Sequence, residues 1–257
     1  MIKKKKISNN ESWINIFEKF NIIEKIKKEG FFLISADDIK SVDGKEARLM
    51  TKYDFRKQIP KILRENNLSL LAIKNGVYKI AKTDPFLDIK KINLKKLIEL
   101  DIPKNFITID TENIKSETQA LNIAKIGGML DILFEEKEYE LSIGGRERAN
   151  LSFELNNIFY DIKGVQIEVD GGYESKKRIH LIEAKIGESK DMNIRQLLYP
   201  LLYYREKTQN KKEVCSYVFF YNKGYYRFIP YYYDGIVGYF DYKKEKVFKF
   251  KDRYKKV

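Results

Sequence analysis

The sequence predicts an α+β protein of two modules, residues 1–88 and 89–257. Three observations carry that expectation. Apolar residues recur at helical spacing over 11–29 and again over 116–133, the period that buries one stripe of a helix. Asn75-Gly76 stands between two apolar runs, the strongest short-range signal for a β-hairpin. Residues 165–170 and 179–186 then alternate, with Val165, Ile167 and Val169 set between Gln166, Glu168 and Asp170. A period of two belongs to strands with one buried face.

In the first module, Trp13, Ile16, Phe17, Phe20, Ile23 and Ile26 form the stripe of a helix over 11–29, and Gly30 is placed to stop it. Residues 31–34 make a short apolar strand. Ser35 caps the next helix, with Asp38 at the capping-box position. A further helix covers 53–65, where Pro60 kinks or divides it. The runs 68–73 and 77–81 close the module as a hairpin. Two helices followed by a hairpin are the outline of a winged helix, which sets a helix in the DNA major groove and a wing on the backbone. Arg48, Lys52, Lys57, Lys61 and Arg64 supply donors for phosphates or guanine edges. The competing reading is a plain packing domain with lysine-rich solvent faces.

Residues 82–90 contain Thr-Asp-Pro and read as the loop between modules. A short helix over 93–100 ends before Pro103, a strand covers 106–109, and Ser116 caps the longer helix. Gly127-Gly128 inside that helix marks close packing. Strands at 139–143, 151–155 and 158–162 follow, the first two separated by a turn at Gly144-Gly145-Arg146. A helix over 193–205, interrupted by Pro200, packs on the sheet. The last third is an aromatic meander: 214–221, the turn Asn222-Lys223-Gly224, 225–232, and a hairpin from 239–242 and 247–250. Its tyrosines cover the sheet, and some line a nucleic-acid cleft.

The chemistry centres on 165–186. Gly171 and Gly172 end the first strand, 176–178 makes a solvated turn, and 179–186 is the second strand. Glu183 and Lys185, two residues apart, share one face, with Ile182 and Ala184 on the other. If the strands pair, Asp170, Glu183 and Lys185 meet at one end of the sheet. Two carboxylates hold a hard divalent cation through oxygen, and an ammonium orients a water or offsets phosphate charge. That combination suits phosphodiester hydrolysis. A charged hairpin with a solvated face satisfies the same spacing.

At these residues the chain resembles the PD-(D/E)XK nuclease superfamily, whose signature is an Asp on one strand and Glu-x-Lys on the next. Gln166-Ile-Glu-Val-Asp-Gly-Gly-Tyr-Glu, Ile182-Glu-Ala-Lys and Ile194-Arg-Gln-Leu-Leu-Tyr-Pro are similar to a group of type II restriction endonucleases. The similarity is densest over 141–205, and Val169 stands where the signature places proline. The resemblance implies a restriction-endonuclease-like core, a mixed sheet flanked by helices, that cuts double-stranded DNA at a specific sequence with Mg²⁺. It implies that Asp170, Glu183 and the Ala184 carbonyl hold the Mg²⁺ while Lys185 positions the attacking water. Glu154 is then a candidate further ligand, with a solvated strand residue as the stronger reading, and Glu168 lies near the cleft. Gln196 resembles a helix residue of related exonucleases, although Pro200 interrupts the helix here. Arg146 matches a Gly-Arg pair of the restriction group and grips a phosphate, orients a carboxylate or serves the turn. His180, the sole histidine, reads as a strand-edge or surface residue, since these nucleases require none. A homodimer is the default for cutting two strands, and a cognate DNA methyltransferase is the implied genetic partner.

Lys and Arg outnumber Asp and Glu 50 to 37, a formal charge of +13 that favours a polyanionic partner. A lysine-rich proteome explains the same surplus. Cys215 alone excludes an intrachain disulfide or a Cys-based zinc site. No apolar run approaches the roughly 18 residues of a membrane span, and no hydrophobic segment follows the basic residues 1–6 as in a signal peptide. The expected location is cytoplasmic. A structure-specific or repair nuclease of the same fold and a non-catalytic DNA-binding regulator are the alternatives.

Overall fold

α1 (Asn9–Phe20) starts at Ser8, whose hydroxyl accepts the Glu11 amide at 3.2 Å while Glu11 accepts the Ser8 amide at 2.6 Å. The computed structural model describes residues 7–103, 110, 111 and 113–251, so the strand expected at 106–109 lies outside the described residues. The helix expected over 11–29 is two helices. Asn21 adopts the left-handed conformation between α1 and α2 (Ile22–Glu29), which asparagine tolerates, and Gly30 closes α2 at φ +81°. Then come β1 (Phe31–Ser35), α3 (Ala36–Asp43), α4 (Ala47–Thr51), α5 (Lys61–Glu65), β2 (Ser69–Lys74) and β3 (Val77–Ala81). The helix expected over 53–65 shrinks to the 3₁₀ turn Arg56–Gln58 and α5, with Ile59 extended between them. Pro60 is the cause, because a residue before proline avoids the α region. β3 pairs antiparallel with β1 and with β2 over a core that includes Trp13, Phe17, Leu63 and Ile80.

The second region contains β4 (Phe86–Asp88), β5 (Leu97–Leu100), α6 (Glu117–Ile126), α7 (Met129–Phe134), β6 (Tyr139–Leu155), β7 (Ile158–Ser175) and β8 (Arg178–Ile186). β9 (Asp191–Asn193), α8 (Arg195–Lys207), β10 (Glu213–Asn222), β11 (Tyr225–Tyr233), β12 (Gly238–Phe240) and β13 (Lys246–Phe250) follow. The architecture is α+β, a large mixed sheet flanked by helices. Its strand order is β1-β3-β2-β7-β8-β10-β11-β13-β5, with β6 on β7 and β12 on β11. β8 and β10 run parallel, joined through α8. On one face Leu197, Leu198 and Leu201 of α8 pack with Ile179, Leu181 and Val218. On the other, Leu121, Leu130 and Phe134 of α6 and α7 pack with Ile182, Phe219 and Phe228. Alternation along β8 therefore sends odd-numbered side chains toward α8 and even-numbered ones toward α6 and α7.

Several expectations change. Gly144-Gly145-Arg146 is no turn but part of β6, which follows β7 with register shifts. Gly171 and Gly172 do not end a strand, for β7 continues to Ser175. Gly172 instead admits a close neighbour, since a Cβ there would lie 2.5 Å from the Ile143 Cβ. Residues 94–96 form a 3₁₀ turn before strand β5 rather than a helix. The helix expected to run on from Ser116 divides at Gly127-Gly128, where a Cβ on Gly127 would meet the Phe250 ring at 2.4 Å. β12 and β13 both pair with β11 rather than with each other. Residues 82–90 are not a free loop: β4 pairs with β9, and β2 joins β7 at Lys74, so one sheet spans both regions. Among the described residues no helix is long and apolar enough to cross a membrane.

Candidate active site

β7 and β8 pair only from Gly171 opposite Ile182 to Glu174 opposite Ile179. Beyond Gly171 the two strands part, and the Ala184 amide donates to Asp170 Oδ2 at 2.8 Å. The aspartate thus satisfies a backbone donor that the ladder has released, and that requirement fixes its place. Glu183 and Lys185 project from β8 on the side of α8. Lys185 Nζ lies 2.5 Å from Glu183 Oε1, and Gln196 Nε2 donates to the same oxygen at 2.6 Å. The expected trio therefore meets where the sheet opens. Gln196 joins it from the first turn of α8, which also runs through Pro200 without a break. Asp170 Oδ1 and Glu183 Oε2 carry no hydrogen bond among the described residues.

The charged face of this hairpin is not solvated. Glu183 is 7% exposed, and the Lys185 side chain is 18% exposed. Burial pushes the Glu183 carboxyl up to about 8, with Lys185 opposing the shift and Asp170 and Glu117 adding to it. Burial works against the Lys185 ammonium as well, but the adjoining Glu183 outweighs it and raises Lys185 above its ordinary value. Burial thus favours the neutral acid at Glu183, and positive charge beside it favours the carboxylate.

Sequence reasoning missed Glu117, the first residue of α6. Burial raises its carboxyl; Lys185 opposes that shift while Asp170 and Glu168 add to it, so Glu117 stands within the field of the site. The Ser116 cap, whose hydroxyl accepts the Gln119 amide at 3.1 Å, was readable as a helix start. Nothing in the spacing said that this start lies beside β7.

These groups border a cleft of about 660 Å³ shared by Glu117, Glu168, Asp170, Glu183 and Lys185 on one side. Its other side comes from the first 80 residues: Arg48, Lys52 and the turn at 74–76. Arg146 and Arg195 also line it. Arg146 stands opposite Glu168 at 3.4 Å, and Arg195 pairs with Asp54 at 3.1 Å. Of the five N-terminal cations singled out, Lys57, Lys61 and Arg64 do not border the cleft. Lys57 sits over the Phe55 ring at 5.7 Å, Lys61 pairs with Glu65 at 3.5 Å, and Arg64 is exposed on α5. Glu154 is also away from it, opposite Phe159 near the β6–β7 turn, its backbone bonded to the Tyr233 hydroxyl. The cleft tyrosines are Tyr53, Tyr78 and Tyr199, whereas Tyr217, Tyr221, Tyr226 and Tyr231 of the last third are buried in the core.

His180 is neither a surface nor an edge residue. It is 1% exposed on a central strand, its ring stacked 3.8 Å from Phe134 and its Nδ1 3.3 Å from the Tyr217 hydroxyl. Burial pushes the imidazole from 6.5 down to about 4. As pH falls, the unfolded chain therefore takes up this proton before the folded one. Its contribution to stability is full above about pH 6.5 and is lost toward about pH 4, at no more than ~1.4 kcal/mol per pH unit. His180→Leu is expected to flatten this acid limb in urea melts compared at about pH 7.5 and about pH 5. An acid slope identical to that of the parent would remove His180 from it.

A family described as Domain of unknown function (DUF6997) matches residues 81–251. The chain belongs to that family. A second family, Domain of unknown function (DUF6996), matches residues 10–80. No curated protein and no solved structure matches the chain. The DUF6997 region carries Glu117, Asp170, Glu183, Lys185 and Gln196, while the DUF6996 region contributes Arg48, Lys52 and the turn at 74–76. The cleft is therefore built by both regions, whose boundary at 80/81 precedes the 88/89 division read from the sequence.

Proposed function

We propose that this chain is a Mg²⁺-dependent nuclease of the PD-(D/E)XK type that acts on double-stranded DNA as a type II restriction endonuclease. The observation that carries the reading is the meeting of Asp170, Glu183, Lys185 and Gln196 where β7 and β8 part, inside a cleft bordered by cations. Among the described residues no group of three or more His, Cys, Asp or Glu side chains forms a metal cage. Two carboxylates suit Mg²⁺ nonetheless, because it usually keeps several waters and takes few protein ligands. Asp170, Glu183 and the Ala184 carbonyl would hold it, using carboxylate oxygens that hydrogen bonds leave open. When bound, the ion supplies positive charge for the phosphate and lowers the pKa of a water.

The chain's own residues do the rest. Lys185 presents an ammonium at the buried carboxylate, where it orients the attacking water and offsets charge that develops on the phosphate. Gln196 fixes the Glu183 carboxylate through its 2.6 Å hydrogen bond and is a positioning residue. Lys52, Arg146 and Arg195 bind the backbone on either side, which positions DNA, while base contacts specify the site. The order of helices and strands up to β3, with β1 on β3 and a β2–β3 hairpin, supports a winged-helix reading of the first module. One site per chain cuts one strand, so a homodimer cuts both. A cognate DNA methyltransferase protects the host's own sites, and the pair works in the cytoplasm.

Digestion of a sequenced plasmid with the purified protein and Mg²⁺ tests this reading. Discrete fragments sharing one end sequence are expected. Cleavage that follows DNA ends or junctions would instead mark a repair nuclease of the same fold. Tight DNA binding without any cut would mark a regulator.

A further inference from the structure

The DUF6996 region meets the catalytic residues across the cleft through α4 with Arg48 and the β2–β3 turn with Lys74, Asn75 and Gly76. Both are rigidly placed. β2 extends the sheet onto β7 with Lys74 opposite Lys163, and the Ala36 amide holds the Gly76 carbonyl at 2.7 Å. The segment after α4 is tied to the strand that leads into α8. Asn193 donates its amide to the Asp54 carbonyl at 3.0 Å and its side chain to the Tyr53 carbonyl at 3.1 Å. The Arg56 amide donates to Asp191 at 2.7 Å. The short link from β3 to β4 contains the buried Thr83 and Pro85, so no free tether separates the two regions.

Three side chains here have chemistry to spare. Arg48, Lys74 and Asn75 are exposed and make no hydrogen bond or ion pair among the described residues. An arginine pairs with guanine O6 and N7, and an asparagine amide with adenine N6 and N7. We propose that Arg48 and Asn75 are specificity-determining residues that read bases flanking the cut phosphate, so that the protein cleaves inside the sequence it recognises. This rests on the nuclease reading above and adds to it where the cut falls. Arg48 and Asn75 line the same cleft as Asp170, Glu183 and Lys185. Residues on its two walls therefore address neighbouring base pairs. A reading unit on a flexible tether would place the cut at a distance instead.

The test uses the full chain with Mg²⁺ on a duplex library carrying a randomised tract, followed by sequencing of the cut ends. Sequence preference is expected within about six base pairs of the cut. Arg48→Ala and Asn75→Ala should each relax preference at one or two of those positions by about ten-fold. Arg48 is exposed and has no side-chain partner among the described residues, so its variant keeps the fold even if a change in the hairpin turn does not. Preference confined to positions more than about ten base pairs from the cut, one helical turn, overturns the inference and leaves the nuclease reading standing. Unchanged preference in both variants overturns the assignment of these residues. Absence of any cut by the parent overturns the nuclease reading, and this inference with it.

Discussion

Lys185→Ala is expected to slow DNA cleavage by about 10²–10³-fold while duplex binding in Ca²⁺ stays near the parental level. The ammonium lies against a carboxylate that is 7% exposed, where positive charge is worth far more than in water. Its removal takes away the group that offsets charge in the transition state. Binding survives because a divalent ion can neutralise Glu183 in its place, and because Arg48, Lys52, Arg146 and Arg195 still border the cleft. Glu183→Gln is the contrasting change. It keeps the shape of the side chain but removes the charge that draws a hard cation, so metal affinity and turnover should fall together. Calorimetric titration with Mg²⁺ and Mn²⁺, DNA binding in Ca²⁺ and single-turnover cleavage separate the two variants. Equal behaviour in all three assays would contradict distinct roles for Glu183 and Lys185.

Gly172→Ala is expected to destabilise the fold by about 1–3 kcal/mol and to lower activity as well. The new Cβ would lie 2.5 Å from the Ile143 Cβ, 2.8 Å from its Cγ2 and 3.1 Å from its carbonyl oxygen. Relief requires movement of the β6 backbone, because a rotamer change cannot shift a Cβ or a carbonyl. β6 pairs with β7 along nearly its whole length, so the displacement reaches Asp170, two residues away. Gly144→Ala is the control: it lies on the same hairpin, and nothing stands within 4 Å of its Cβ position. Urea midpoints should separate the two variants clearly. Similar losses for both would contradict a close approach at Gly172.

The parts legible in the sequence are those set by near neighbours. The caps at Ser35 and Ser116 depend on a residue three positions on, and the hairpin at Asn75-Gly76 depends on its own turn. Asp170, Glu183 and Lys185 were readable for the same reason, since they sit on two strands joined by a tight turn. Glu117 was not. It reaches the site because Leu121 of its helix packs at Gly171, a contact with no trace in local spacing. Lys57, Lys61 and Arg64 carry the same charge as Arg48 and Lys52. What sorts them is the break at Ile59 and Pro60: Pro60 was expected to kink or divide the helix, but which cations face the cleft depends on packing beyond it. Burial of His180 was within reach, because alternation places it on the face of Ile182 and Ala184.

The most direct measurement is plasmid cleavage by the purified parent and by Asp170→Asn, side by side, in Mg²⁺ and in EDTA. The parent is expected to give discrete linear fragments in Mg²⁺ and none in EDTA, with Asp170→Asn slower by at least about 10²-fold. A parent that never cuts, or an Asp170→Asn variant that cuts at the parental rate, would contradict a nuclease site where β7 and β8 part.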